Sequence, residues 1–184
     1  MFEHKKSKDQ CDSAWQHTNR QNIWVSKYRL PLLKLTTFVP EHMANSEVAE
    51  KIFSLAYQEM HRTLEKYNYK VLESECFQHL NGRGLLLVIS GAASTELKRA
   101  MIKIENQHAL GGLFNFDVLN REGKMITRKA SELSPRRCVL CNNAASFCAA
   151  AHKHTPEAME KQIVSMLGNY LVSFDESNKQ AVGA

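Results

Sequence analysis

Residues 70–90 read KVLESECFQHLNGRGLLLVIS, and the fold turns on how they pair. Two strand-like runs, KVLESECFQHL and RGLLLVIS, flank Asn81-Gly82. An Asn-Gly pair in that setting is the strongest short-range signal for a β-hairpin, because both residues tolerate the positive φ of its turn. Upstream, Val48, Ile52, Leu55, Ala56, Met60, Leu64 and Tyr67 recur at steps of three and four, the period of an amphipathic helix of about five turns. Asn45 or Ser46 supplies its N-cap, and Glu47 suits the positive end of its dipole. Before it, LPLLKLTTFV (Leu30–Val39), bounded by Pro40, reads as a strand. A weaker helical pattern covers Asp12 to Lys27, with Trp15 and Trp24 as anchors.

Downstream of the hairpin, a helix from about Thr95 carries Leu97, Met101 and Ile104 on one face and ends before Gly111-Gly112. LFNFDVL (Leu113–Leu119) alternates, and NREG turns it into KMITR, which reads as a second hairpin. Thr155-Pro156-Glu157 opens a last helix, with Thr as N-cap and Pro at the first helical position. Its buried stripe is Ile163, Met166, Leu167 and Tyr170. Two hairpins and about three main helices predict a single α+β domain over residues 14–174 with a largely antiparallel or mixed sheet. A flexible basic segment, 1–13, precedes it, and a polar tail, 175–184, follows.

At 184 residues the chain has room for about one domain. Its 43% hydrophobic and 23% charged content excludes wholesale disorder, collagen and coiled coil. The net charge of +5 favours phosphate-bearing or acidic partners. A nucleic-acid partner would rest on that charge alone, since the basic stretch lacks interleaved aromatics. The longest apolar run, GLLLVISGAA, falls well short of the roughly 20 residues that span a bilayer. MFEHKKSKDQ has charge but no apolar stretch behind it, so no signal peptide is expected. An odd number of cysteines, five, argues against a fully paired secreted framework. A reduced, cytoplasmic protein is expected.

Three groups of residues could carry chemistry. Asn115 and Asp117 are two apart in a strand and so share a face. Two oxygen side chains at that spacing can hold Mg²⁺ against substrate phosphates, and the glycine pair before them would admit a phosphate to the backbone; a solvated strand face is the plainer reading. Arg121, Lys124, Arg128, Lys129, Arg136 and Arg137, offset by Glu122 and Glu132, give six minus two, or +4. Adjacent guanidinium groups such as Arg136-Arg137 can fork onto phosphate oxygens, or the run is a solvated loop. Finally, Cys138, Cys141, Cys148 and His154 follow a Cys-x₂-Cys-x₆-Cys-x₅-His spacing. Three thiolates and an imidazole suit a structural Zn²⁺. A redox pair and packed free thiols are the alternatives, and His152 is a competing ligand.

The run HALGGLFNFDVLNREGKMITRKASELSPRRCVLCNNAASFCAAAHKHTPEAM resembles the apo-citrate lyase phosphoribosyl-dephospho-CoA transferases, the CitX or holo-citrate lyase synthase family. The likeness extends from about Ser90 to Leu171 and continues more weakly through RQNIWVSKYRLPLLKL and VPEHMANSEVAEKIF. It implies a transferase that moves the prosthetic group from 2′-(5″-triphosphoribosyl)-3′-dephospho-CoA onto a serine of the acyl carrier (γ) subunit of citrate lyase, releasing pyrophosphate. On this reading Asp117 and Asn115 serve catalysis and Mg²⁺. Arg136, Arg137, Arg20, Gln21 and Gly111 serve the donor phosphates, and a basic face suits an acidic carrier.

The sequence also departs from the family pattern. G-R-L-W-D-x-D-V stands here as Gly111-Gly112-Leu113-Phe114-Asn115-Phe116-Asp117-Val118, so an arginine is Gly112 and a carboxylate is Asn115. The family's R-x-E-R falls on Ala14, Gln16 and His17, its P-G-P-x-K on Pro40 to Ala44, and a later arginine on Ala150. These losses frame an alternative, a catalytically weakened or silent module that binds a carrier protein or a CoA-like nucleotide.

Overall fold

In the computed structural model, which describes residues 14–79, 81–131 and 133–182, strand β2 (Lys70–His79) pairs antiparallel with β3 (Gly82–Ser90). The register sets His79 opposite Gly82. Asn81 therefore lies within the loop, and Gly82 opens the second strand with φ +112°, one residue earlier than the Asn-Gly reading implies. A bulge interrupts β2 between Val71 and Glu73. Strand β1 (Leu32–Thr37) joins the other side of β3 and then pairs with β4 (Phe114–Leu119), giving the order β2-β3-β1-β4 with every pairing antiparallel. The expected basic segment 1–13 lies outside the described residues.

Helices α2 (Glu47–Lys66) and α3 (Ser94–Gln107) cover one face of the sheet. Ser46 caps α2 by accepting the Ala49 N–H at 3.2 Å. Ala49, Ile52, Phe53, Ala56, Met60 and Leu64 form its buried stripe, whereas Tyr67 stays exposed beyond the helix end. Leu97, Met101 and Ile104 of α3 meet Leu33 and Leu35 of β1, Leu85, Leu87 and Ile89 of β3, and Phe114, Phe116 and Val118 of β4 in one core. Each such side chain contributes about 1.5–3 kcal/mol of burial. The last helix, α5 (Pro156–Val182), adds Ile163 and Leu167 to that core, with Met166 and Tyr170 half-buried. Thr155 caps it, accepting the Ala158 N–H. The segment expected as a polar tail keeps helical backbone as far as Val182.

Part of the other face is covered by α1 (Ala14–Tyr28), whose Trp24 packs on Leu32, Phe77, Leu86, Val88 and Leu119. With α4 (Ala145–Ala150) the described residues form five α-helices; α2, α3 and α5, which line the main core, are the three expected as main helices.

One expectation is overturned. NREG does form a turn, closed by Asn120, whose side chain accepts the N–H groups of Glu122 and Lys124. KMITR, however, does not continue as a strand. It makes one bridge, Leu119 to Met125, and the Ile126 N–H bond to Val118. The backbone groups a new strand would need at Phe114 and Phe116 are already taken by side chains of Arg136, Glu105 and Lys98.

Two glycines are expected to answer substitution with opposite signs. A Cβ on Gly84 would sit 2.2 Å from the ring of buried Phe77, so Gly84→Ala should lower stability by about 1–3 kcal/mol. Gly168 is in mid-helix with nothing within 4 Å of its Cβ position, so Gly168→Ala should raise it by about 0.5–1 kcal/mol. Urea unfolding of the two variants checks both.

Candidate active site

Strand alternation decides which side chains face the α1 side of the sheet. In the β1–β4 register Leu32 lies opposite Leu119, Lys34 opposite Asp117, and Thr36 opposite Asn115. Leu32 and Leu119 pack under Trp24. The next two rows are polar. Lys34 Nζ approaches Asp117 Oδ2 at 3.2 Å, and Asn115 Nδ2 donates to the same oxygen at 3.2 Å and to Thr36 Oγ1 at 2.9 Å. The Asp117 row continues through Leu86 to Glu75 of β2, where Arg20 of α1 pairs with the carboxylate at 3.0 Å. The structure thus brings Asn115, Asp117 and Arg20 onto one sheet face. Gln21 follows Arg20 on the same helix and is half-buried.

Behind β4 stands a network that the sequence reading missed. Glu105, at the end of α3, has a side chain only 1% exposed. Its Oε1 accepts the Phe116 N–H at 2.9 Å and Arg136 Nη2 at 2.8 Å, and its Oε2 accepts Arg128 Nη2 in a short contact. Arg136 also donates to the carbonyls of Phe114 and Gly112 and, at 3.3 Å, to Asn115 Oδ1, with its guanidinium over the Phe38 ring. Lys98, buried on α3, donates to the Phe116 carbonyl at 2.5 Å. Burial pulls the Lys98 ammonium below its ordinary pKa, against the pull of Glu105 and Asp117. It lowers Arg136 likewise, with Glu105 opposing.

The basic run is thereby divided. Arg128 and Arg136 turn inward onto Glu105, while Arg121 is exposed beside Glu122 and Arg137 is exposed, donating to the Asn142 carbonyl. Gly111 is buried, and a Cβ there would meet the Glu105 carbonyl oxygen at 2.4 Å, so the backbone it admits is that of α3. A Cβ on Gly112 would meet Val139 Cγ1 at 2.8 Å. Ala44 is buried at the end of a 3₁₀ turn over Glu41–Met43, and Ala150 is exposed on α4.

Of the residues the sequence reading missed, Lys34, Lys98 and Glu105 left a trace in the sequence, and Thr36 left none. Lys34 is a lone cation within LPLLKLTTFV, and Lys98 and Glu105 border the apolar stripe of α3, seven residues apart and therefore on one side of the helix.

The third group is assembled as its spacing suggested. The ligand atoms of Cys138, Cys141, Cys148 and His154 all lie within 4.8 Å of one another. Cys141 Sγ is 3.4 Å from Cys148 Sγ and 3.2 Å from His154 Nε2. Tetrahedral zinc with Zn–S bonds of about 2.3 Å separates its sulfurs by about 3.8 Å, so this cluster could hold a metal ion. The Asn143 backbone N–H, helped by Cys148, His154 and Cys138, draws the Cys141 thiol down to about 6. Burial, with Cys141 and Cys138 adding, pushes Cys148 up to about 11. His152, at φ +45°, is exposed and outside the group. No helix among the described residues is long and apolar enough to cross a membrane.

The model of a family described as apo-citrate lyase phosphoribosyl-dephospho-CoA transferase, CitX, matches residues 15–170. Proteins of that name from Shigella boydii and Escherichia coli O157:H7 are each 33% identical over 73% of this chain and 73% of their own length. A Vibrio cholerae relative is 28% identical over 82% of this chain and 85% of its own. The molecule is an enzyme of the transferase class. It belongs to the apo-citrate lyase phosphoribosyl-dephospho-CoA transferase family.

Removal of the Glu105 carboxylate would strand two buried guanidinium groups and one strand amide. Glu105→Ala should lower unfolding free energy by about 3–5 kcal/mol. Arg121→Ala, on an exposed pair between sequence neighbours, should change it by less than about 0.5 kcal/mol. Denaturant titration followed by far-UV circular dichroism separates the two.

Proposed function

We propose that this chain attaches the phosphoribosyl-dephospho-CoA group of 2′-(5″-triphosphoribosyl)-3′-dephospho-CoA to a serine of the citrate lyase acyl carrier (γ) subunit, in the cytoplasm. The carrier serine oxygen forms a bond to the phosphorus nearest the donor's second ribose. The bond from that phosphorus to the outer two phosphates breaks, pyrophosphate leaves, and the hydroxyl proton passes to solvent. Such a reaction depends on alignment and on neutralising charge at the phosphates. Family membership supports the chemistry, and one observation supports the location: Asp117 and Lys34 stand side by side on a sheet face that also carries Asn115, Thr36 and Arg20.

Lys34 and Arg20 are cations on that face suited to the donor phosphates, with half-buried Gln21 next to Arg20 on α1. Exposed Arg137 is a further cation for them, since its guanidinium donates to the Asn142 carbonyl rather than to a carboxylate that would compete with a phosphate. Arg136 fixes Asn115 and borders the same row through its bond to Oδ1. Gly111 serves by seating the loop before β4 against α3.

Asp117 and Asn115 would hold Mg²⁺. The two hydrogen-bonding contacts to Asp117 fall on Oδ2, which leaves Oδ1 for a cation, and Mg²⁺ commonly takes one or two carboxylates together with substrate phosphates. Asn115 turns its amide nitrogen toward Asp117 and its oxygen toward Arg136. It is the weaker donor of the pair, and its neutral amide removes the repulsion two carboxylates would have there. When bound, Mg²⁺ would neutralise charge on the donor phosphates. The metal of the Cys138, Cys141, Cys148 and His154 cluster is Zn²⁺, in a structural role, since four protein ligands close its coordination shell.

The test combines donor, Mg²⁺ and apo-γ subunit and follows pyrophosphate release and the carrier's mass. The expected result is a stoichiometric mass gain on one serine, reduced by about 100-fold or more in Asp117→Asn. Donor binding without any mass gain would overturn the transferase reading in favour of a silent module.

A further inference from the structure

The zinc reading leaves open what the metal is for, and the surroundings of Arg136 answer it. Residues 133–155 contain one helix of six residues and one isolated bridge, Arg137 to Ala144. Within this stretch Cys148 alone is buried. A segment so short of apolar contacts cannot hold itself in place by burial. Yet it delivers Arg136, two residues before Cys138, to five acceptors on other parts of the molecule: the carbonyls of Gly112 and Phe114, Asn115 Oδ1, Glu105 Oε1 and the Phe38 ring. At its other end, His154 lies two residues before α5, which is fixed to the main core through Ile163 and Leu167. The cysteine turn itself is ordered by bonds from the Cys138 N–H to the Asn143 carbonyl and from the Asn142 N–H to the Cys138 carbonyl.

We infer that zinc bound by Cys138, Cys141, Cys148 and His154 is the element that positions Arg136, so that metal occupancy fixes strand β4 and the amide orientation of Asn115. The inference rests on the zinc reading above. The four ligands are positioning residues, acting through Arg136. The physical route is short. The metal ties the Cys138 turn to the start of α5, the backbone carries that constraint over two residues, and the guanidinium conveys it to Glu105 Oε1, the atom that also accepts the Phe116 N–H. A second contact runs beside it, since Val139, between the first two cysteines, fills the space a side chain at Gly112 would occupy.

The full chain, purified without chelator, is analysed for metal and then followed by hydrogen–deuterium exchange, zinc-loaded, chelator-stripped and as Arg136→Lys. The expected results are about one zinc per chain and, on stripping, exchange over residues 113–119 faster by about tenfold, as loss of a charge-assisted hydrogen bond produces. The hairpin of residues 70–90 should keep its protection. Arg136→Lys, which cannot fork onto several acceptors, should retain zinc and show the same acceleration over 113–119. Less than about half an equivalent of zinc overturns the zinc reading itself. Stoichiometric zinc whose removal leaves 113–119 unchanged overturns the coupling and leaves the zinc standing. Acceleration on stripping that Arg136→Lys does not reproduce overturns the route through Arg136. Should stripping also open the hairpin, the Arg136→Lys comparison alone decides.

Discussion

Strand β4 ends the sheet, and the outward-facing backbone groups of an edge strand must find partners where water is excluded. Here those partners are charged side chains. Lys98 takes the Phe116 carbonyl, Glu105 the Phe116 N–H, and Arg136 the Phe114 carbonyl. The carboxylate is tolerable at that depth only because two guanidinium groups and an amide donate to it. Everything on the other side of the strand follows from this. With Phe114, Phe116 and Val118 held toward the helices, alternation obliges Asn115 and Asp117 to face the opposite way, where Lys34 and Thr36 meet them.

The two faces of the sheet therefore differ in kind. One is a dry interior closed by α2, α3 and α5. The other is partly roofed by Trp24 and otherwise carries paired charges and amides. On that face Lys34 is paired with Asp117 across the β1–β4 ladder, and Arg20 of α1 with Glu75 of β2. Asn115 bonds to Thr36 on one side and to Arg136 on the other, and the space a side chain at Gly112 would need is taken by Val139.

Much of this was legible in the sequence where the causes are local. The helix over 47–66 announces itself by spacing and cap, the hairpin of 70–90 by its turn, and the metal cluster by four ligands within seventeen consecutive positions. The failures are all long-range. KMITR has a strand's composition, but whether it pairs depends on side chains from α3 and from Arg136 having already claimed the edge. Arg136 reads as a surface cation beside Arg137, and only the pairing with Glu105, thirty-one residues away, turns it inward. The contact of Lys34 with Asp117 is likewise a product of register between strands far apart in the chain, which no local pattern encodes.

The bulge in β2 has a meaning of its own. Among the described residues, β2 is the other margin of the sheet, and it carries Lys70, Glu73 and Glu75 along a run broken between Val71 and Glu73. A kinked, charged margin is a poor template for an added strand. A polypeptide approaching that margin would meet shape and charge rather than a flat edge open to β-augmentation.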